Sequence, residues 1–123
     1  MQVRGKMNKR AVGSAYEKAA GVYLETQGYQ ILEYNFRNRQ GEIDIVARDG
    51  RCLVFAEVKY RKDERSGDPL EAVNLKKQRS ICRTARYYLM THHMGMDTPC
   101  RFDVVAVVGK RIRIVKNAFS FLE

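Results

Sequence analysis

The stretch that most restricts the fold is Gly41 to Arg61, GEIDIVARDGRCLVFAEVKYR, in which two alternating runs flank Asp49-Gly50. A side-chain period of two belongs to β-strands, and Asp-Gly between two such runs predicts a two-residue type I′ hairpin turn. That turn pairs Arg48 with Arg51, Ala47 with Cys52 and Ile45 with Val54. One face of the hairpin then carries Ile43, Ile45, Ala47, Cys52, Val54 and Ala56, continued by Val58, and is apolar enough to pack on a helix or the core. The other carries Glu42, Asp44 and Val46 with Leu53, Phe55 and Glu57, and Lys59 beyond them. Three carboxylates and a lysine therefore crowd one end of an otherwise buried surface. Asp44 and Glu57 become diagonal neighbours, roughly 7–8 Å apart at the backbone, a span that lets both side chains reach one small cation.

Punctuation and periodicity place the other elements around this hairpin. Residues 1–13 lack apolar periodicity and include Lys9 and Arg10, so they read as a flexible basic arm ahead of a single domain over 14–123. Ser14-Ala15-Tyr16-Glu17 has the form of a capping box, and Tyr16, Ala19, Ala20, Tyr23 and Leu24 follow at helical spacing until Gly28. Tyr29 to Phe36 reads as a strand. A second helix starts at Asp68-Pro69 or at Asn74, with Leu75, Ile81, Cys82, Ala85, Tyr88 and Leu89 as its apolar stripe. Its flank collects Lys76, Arg79, Arg83 and Arg86. Phe102 to Val108 and Arg111 to Val115 form a last hairpin around Gly109-Lys110. The predicted order is helix, three strands, helix, two strands, an α/β chain.

Charge narrows the class of partner. A chain of 123 residues makes one core, and 23 Lys plus Arg against 14 Asp plus Glu leave it at +9, which predicts a polyanionic partner and demotes neutral metabolites. The excess is concentrated in the first ten residues and in residues 71–90, where Glu71 is the one acid. No apolar run is longer than Val104 to Val108, so the expectation is a cytoplasmic protein with no membrane partner. Cys52, Cys82 and Cys100 show no C-x-x-C spacing and His92 and His93 are adjacent, which argues against zinc and disulfide frameworks.

Carboxylates forced together on one sheet face normally share a proton or a divalent cation, and hard oxygen ligands favour Mg²⁺ or Mn²⁺. Such an ion polarises a phosphodiester and acidifies water, and Lys59 on the same face can orient that water or take up developing charge. Each residue also has a plainer reading. Glu57 and Lys59 two apart on a strand are often a simple ion pair. Glu17 is accounted for equally by the capping box, and Glu42 by the strand entrance. Gln78 in the apolar stripe is either a satisfied core amide or a group facing the acids. The basic flank of the second helix lacks interleaved acids, which favours phosphate contact over a merely solvated face.

Gly41-Glu42-Ile43-Asp44, the Asp49-Gly50 turn, Phe55-Ala56-Glu57-Val58-Lys59 and Arg101-Phe102-Asp103-Val104-Val105 together resemble the bacterial YraN family of uncharacterised proteins. The resemblance runs from about Gly13 to the C-terminus and includes Glu17 and Lys77-Gln78. It implies a restriction-endonuclease-like fold with a mixed central sheet, of the PD-(D/E)-x-K superfamily near the Holliday junction resolvases. Ile43 stands where the motif's proline would be. Carried over, it implies that Asp44, Glu57 and the carbonyl of Val58 hold the metal, that Lys59 is the catalytic lysine, and that Glu17 completes the site.

The expected function is Mg²⁺-dependent (or Mn²⁺-dependent) hydrolysis of DNA, structured or branched. Lys9, Arg10, Lys76, Lys77, Arg79, Arg83 and Arg86 would lie on phosphates. Symmetry favours a homodimer on branched substrates. The rivals are a non-catalytic nucleic-acid binder that keeps the fold and an RNA- or ribosome-associated module, with DNA favoured over RNA.

Overall fold

Alternation in the chain becomes a five-stranded sheet with one helix on each face. The computed structural model describes residues 9–121, without the side chains of residues 9–13, Ser66, Pro69 and Leu70. The elements are α1 (Lys9–Thr26), β1 (Gln30–Asn38), β2 (Gly41–Asp49), β3 (Cys52–Arg61), α2 (Leu75–Thr91), β4 (Cys100–Val108) and β5 (Arg111–Phe119). The sheet runs in chain order β1 to β5, with β3 and β4 parallel and the other neighbours antiparallel. Because parallel neighbours need a crossover, α2 lies between β3 and β4 in sequence and covers one face. This is the mixed α/β arrangement and element order expected from the sequence.

The central strands are buried on both sides, which explains why both hairpin faces are apolar at mid-strand. On one side Ala20 and Leu24 of α1 meet Ile45, Ala47, Val54, Ala56 and Val105. On the other, Ile81, Cys82, Ala85, Tyr88 and Leu89 of α2 cover Val46, Leu53, Phe55, Phe102 and Val104. Ile43 departs from the expectation, since it joins the α2 side rather than following Ile45. The alternation breaks where β1 holds Asn35 at φ 56, between Tyr34 on the α1 side and Phe36 on the α2 side.

The hairpin register also differs. Asp49 pairs with Cys52, Ala47 with Val54 and Ile45 with Ala56, so the turn is Gly50-Arg51 and not Asp49-Gly50. Gly50 has φ 62 while Arg51 is not among the positive-φ residues, the pattern of a type II′ turn with glycine first. The partner strand has slid by two residues, one full side-chain period, so nearly all face assignments survive.

Two boundaries move as well. α1 begins at Lys9, so Ser14 is inside the helix and the capping-box reading fails; Lys9, Arg10 and Ala11 are helix formers that extend it upstream. Residues 9–13 of the expected arm are thus helical, and residues 1–8 lie outside the described range. Pro69–Ala72 forms only a 3-10 turn, and α2 starts from Asn74, whose side chain accepts from the Lys77 N–H.

Gly41 sets how close α2 comes to the β1–β2 turn. Its φ is 151, and a Cβ there would fall 2.2 Å from Ser80 Oγ, which donates to the Gln40 carbonyl at 2.8 Å. At the far end of the sheet Asp103 is fully buried among donors. Tyr29 Oη and Arg101 Nε donate to it at 2.9 Å, and so does the backbone N–H of Asn117. Arg101 Nη2 also donates to Asp49 at 2.8 Å. The Arg101-Phe102-Asp103 element therefore ties β2, β4 and β5 to Tyr29 at the entrance to β1, at the point where Asn117 (φ 54) sits in the register shift of β5.

Candidate metal and phosphodiester site

The site forms where β2 and β3 stop pairing. The recorded ladder ends at Ile45 and Ala56, and beyond it the Asp44 carboxylate accepts from the Val58 N–H at 2.8 Å. Asp44 is thereby anchored inside the sheet, 8% exposed, and Glu57 opposite is 4% exposed. From the N-terminal half of α1 comes Glu17, and from the start of β2 comes Glu42. One carboxylate oxygen each from Glu17, Glu42 and Asp44 fall within 4.8 Å of one another. At that spacing each ionised pair repels by about 3 kcal/mol at an effective dielectric near 20, so the trio calls for a cation or a proton.

Two lysines meet the fourth carboxylate. Glu57 Oε2 lies 3.3 Å from Lys59 Nζ and 3.5 Å from Lys77 Nζ. Its other oxygen, Oε1, is buried without a hydrogen-bond partner, and so is Glu17 Oε1. Buried acceptors without donors are uncommon and costly, and here two of them lie in one acidic cleft. With Tyr16, Val58 and Tyr60, these residues line a cleft of about 270 Å³.

Burial dominates the electrostatics. It pushes Asp44 up to about 6, helped by Glu17 and Glu42 and opposed by the Val58 N–H and Lys77. Glu57 is pushed up to about 7 by burial and by Asp44, against Lys77 and Lys59. Glu17 is raised mainly by burial, with the charges of Glu42 and Glu57 adding to it and hydrogen bonding with Asn35 and Asp44 acting the other way. A hard divalent ion suits such a donor set, because carboxylate oxygens are its preferred ligands and its charge relieves both the repulsion and the unpartnered acceptors.

The fold brings Glu17, Asp44, Glu57, Val58 and Lys59 into one cleft. With α1 starting at Lys9, Glu17 is not a capping residue. The closest carboxylate set is Glu17, Glu42 and Asp44, whereas Glu57 is turned to the lysines. Lys77 faces the cleft rather than the outer flank of α2. Lys76 and Arg79 are exposed, but Arg83 Nε donates to Gln40 Oε1 at 3.1 Å and Arg86 lies 5.0 Å from the Phe121 ring centroid. The side chains of Lys9 and Arg10 lie outside the described residues. Gln78 is a satisfied amide, its Nε2 donating to the Val73 carbonyl at 2.9 Å. No helix among the described residues is long and apolar enough to cross a membrane.

Sequence reasoning left Asn35 and the two tyrosines out of the site and Glu42 undecided. The signal for Asn35 was an asparagine inside an otherwise aromatic and branched strand, a residue type that tolerates positive φ. It stands across from Asp44, between the pairs Tyr34–Ile45 and Phe36–Ile43.

The profile of "Uncharacterised protein family UPF0102" matches residues 16–107, a span that contains every cleft residue. The chain is similar to a UPF0102 protein of Lachnoclostridium phytofermentans, 53% identical over 114 residues that cover 93% of this chain and 97% of the relative. A UPF0102 protein of Symbiobacterium thermophilum is 48% identical over 116 residues, covering 89% and 97%. One from Enterobacter sp. is 40% identical over 117 residues, covering 94% and 89%.

Proposed function

Because the chain belongs to the uncharacterised protein family UPF0102, the YraN family, we propose its function from the geometry of its own cleft: metal-dependent endonucleolytic hydrolysis of DNA in the cytoplasm, on structured or branched substrates. The observation that carries this reading is the juxtaposition, in a chain of net charge +9, of three carboxylates within 4.8 Å, two buried unpartnered carboxylate oxygens and two lysines. A basic nucleic-acid binder gains nothing from a local acidic hole unless a cation fills it.

Glu17, Glu42 and Asp44 would hold Mg²⁺ or Mn²⁺, with Glu57 Oε1 as a further oxygen that has no donor. Such an ion polarises a phosphodiester and lowers the pKa of an attacking water. Asp44, fixed by the Val58 N–H, keeps its orientation without reorganising. Lys59 is the residue that stabilises charge developing on the phosphate and orients water, and Lys77 balances Glu57 from the α2 side. The exposed Lys76 and Arg79 hold flanking phosphates, a contact that gives affinity without reading sequence. A homodimer would present two such clefts to one junction.

Labelled four-way junctions with Mg²⁺ test the reading. Cleavage is expected, and Glu57→Ala or Lys59→Ala should lower its rate on the order of 10²–10³-fold, the scale of losing one electrostatic stabiliser. Binding without cleavage, or cleavage indifferent to Glu57→Ala, overturns it.

A further inference from the structure

Two tyrosines in the cleft are not explained by metal binding or by packing. Tyr16 and Tyr60 stack face to face, ring centroids 4.0 Å apart and planes 15° from parallel. Tyr16 precedes Glu17 on α1, and Tyr60 follows Lys59 on β3, so the stack borders both the acidic trio and the lysine. The other near-parallel stacks among the described residues, Phe55 with Phe102, Tyr88 with His92 and Phe102 with Phe119, each include a ring of the α2-side core. Tyr16 and Tyr60 belong to neither core cluster, are only half-buried, and line the cleft.

An aromatic face beside a phosphate-handling centre has a natural ligand in a nucleobase. Base–aromatic stacking is worth about 1–3 kcal/mol per base and tolerates any sequence. A base inside a duplex is already stacked on both faces and paired, so only an unpaired or splayed base can use the tyrosines without that cost. We propose that the Tyr16–Tyr60 stack is a nucleobase platform for an unpaired nucleotide next to the scissile phosphate, which directs the cleft to single-stranded positions such as branch points, flaps and overhangs. The inference rests on the nuclease reading for its place in the reaction, but not for the stacking itself.

The test uses the full chain in EDTA, so that nothing is cut, with a short oligodeoxynucleotide carrying one 2-aminopurine. Its fluorescence should be quenched on binding when the strand is single, and not when the same position is paired in a duplex. Tyr16→Leu and Tyr60→Leu keep bulk and lose the π-face; each should remove the quench and weaken single-strand binding about tenfold, with duplex binding unchanged. Tyr60→Phe should retain the quench. Replacing the 2-aminopurine by an abasic site should weaken binding to the wild-type chain, a readout that needs no variant to fold. A quench that survives in both leucine variants overturns the proposal, as does equal loss of single-strand and duplex affinity. Loss of the Mn²⁺ binding heat in the same variants also overturns it, because the stack would then be a strut for Glu17. No cleavage in Mg²⁺ with the quench intact sinks the nuclease reading alone, and cleavage without the quench sinks the platform alone.

Discussion

Asp103 and the Glu17–Glu42–Asp44–Glu57 cleft are both buried acidic sites on one sheet, and they are built in opposite ways. Asp103 accepts from Tyr29, Arg101 and the Asn117 N–H, and Arg101 is itself shared with Asp49. The cleft instead stacks carboxylate against carboxylate and leaves Glu17 Oε1 and Glu57 Oε1 without donors. A satisfied buried charge ties elements together, whereas an unsatisfied one costs stability and persists where a ligand offsets it. The difference separates a structural network from a functional site without reference to any reaction.

Substitution at the two sites should have opposite signs. The largest effect is expected for Asp103→Ala, which strands the Arg101 guanidinium and the Tyr29 hydroxyl and should cost about 3–5 kcal/mol, read from urea unfolding. Asp44→Asn should instead stabilise the metal-free protein by about 1–2 kcal/mol at pH 8, since it removes a buried charge crowded by Glu17 and Glu42. The same variant should lose the rise in melting temperature that Mn²⁺ gives the wild type. If Asp44→Asn destabilised the protein as Asp103→Ala does, the contrast would collapse.

A pH series sharpens the point. Asp44 and Glu57 have folded-state values of about 6 and about 7, above the ordinary carboxylate range, so the folded state binds protons that the unfolded chain does not. Their contribution to stability is fully present below the unfolded values and is lost as pH rises through about 6 to 7. The metal-free wild type should therefore melt higher at pH 5 than at pH 8, and Asp44→Asn should show a smaller rise. A flat or inverted profile in differential scanning fluorimetry would remove the strain assigned to the cleft. The smallest stability effect belongs to Lys76→Ala and Arg79→Ala, within about 0.5 kcal/mol. Each should nevertheless lower the slope of log affinity for duplex DNA against log salt by about 0.9.

Most of this fold was legible because its signals are local. Alternation identified β2 and β3 and sorted their faces, and that sorting survived a turn at Gly50-Arg51 instead of Asp49-Gly50 because the slip was one full period. The exception, Ile43, lies beside the backbone inversion at Asn35, which no alternation pattern carries. The start of α1 was misread because Ser14-x-x-Glu17 imitates a cap, while the helix-forming residues before it continue the same helix. On α2, Lys77 was counted with the phosphate-binding cations, although its place off their flank turns it to Glu57.

By itself, then, the sequence determined the strand pair, the order of elements, and the placement of Asp44, Glu57 and Lys59 at one end of a buried surface. These follow from a two-residue period acting over a hairpin. Only the tertiary structure decided that Glu17 and Lys77 reach that end from opposite helices, that Glu42 rather than Glu57 completes the tightest carboxylate set, and that Asp103 is fully satisfied. Such convergence depends on how helices cross a twisted sheet, a geometry set by packing between residues far apart in the chain.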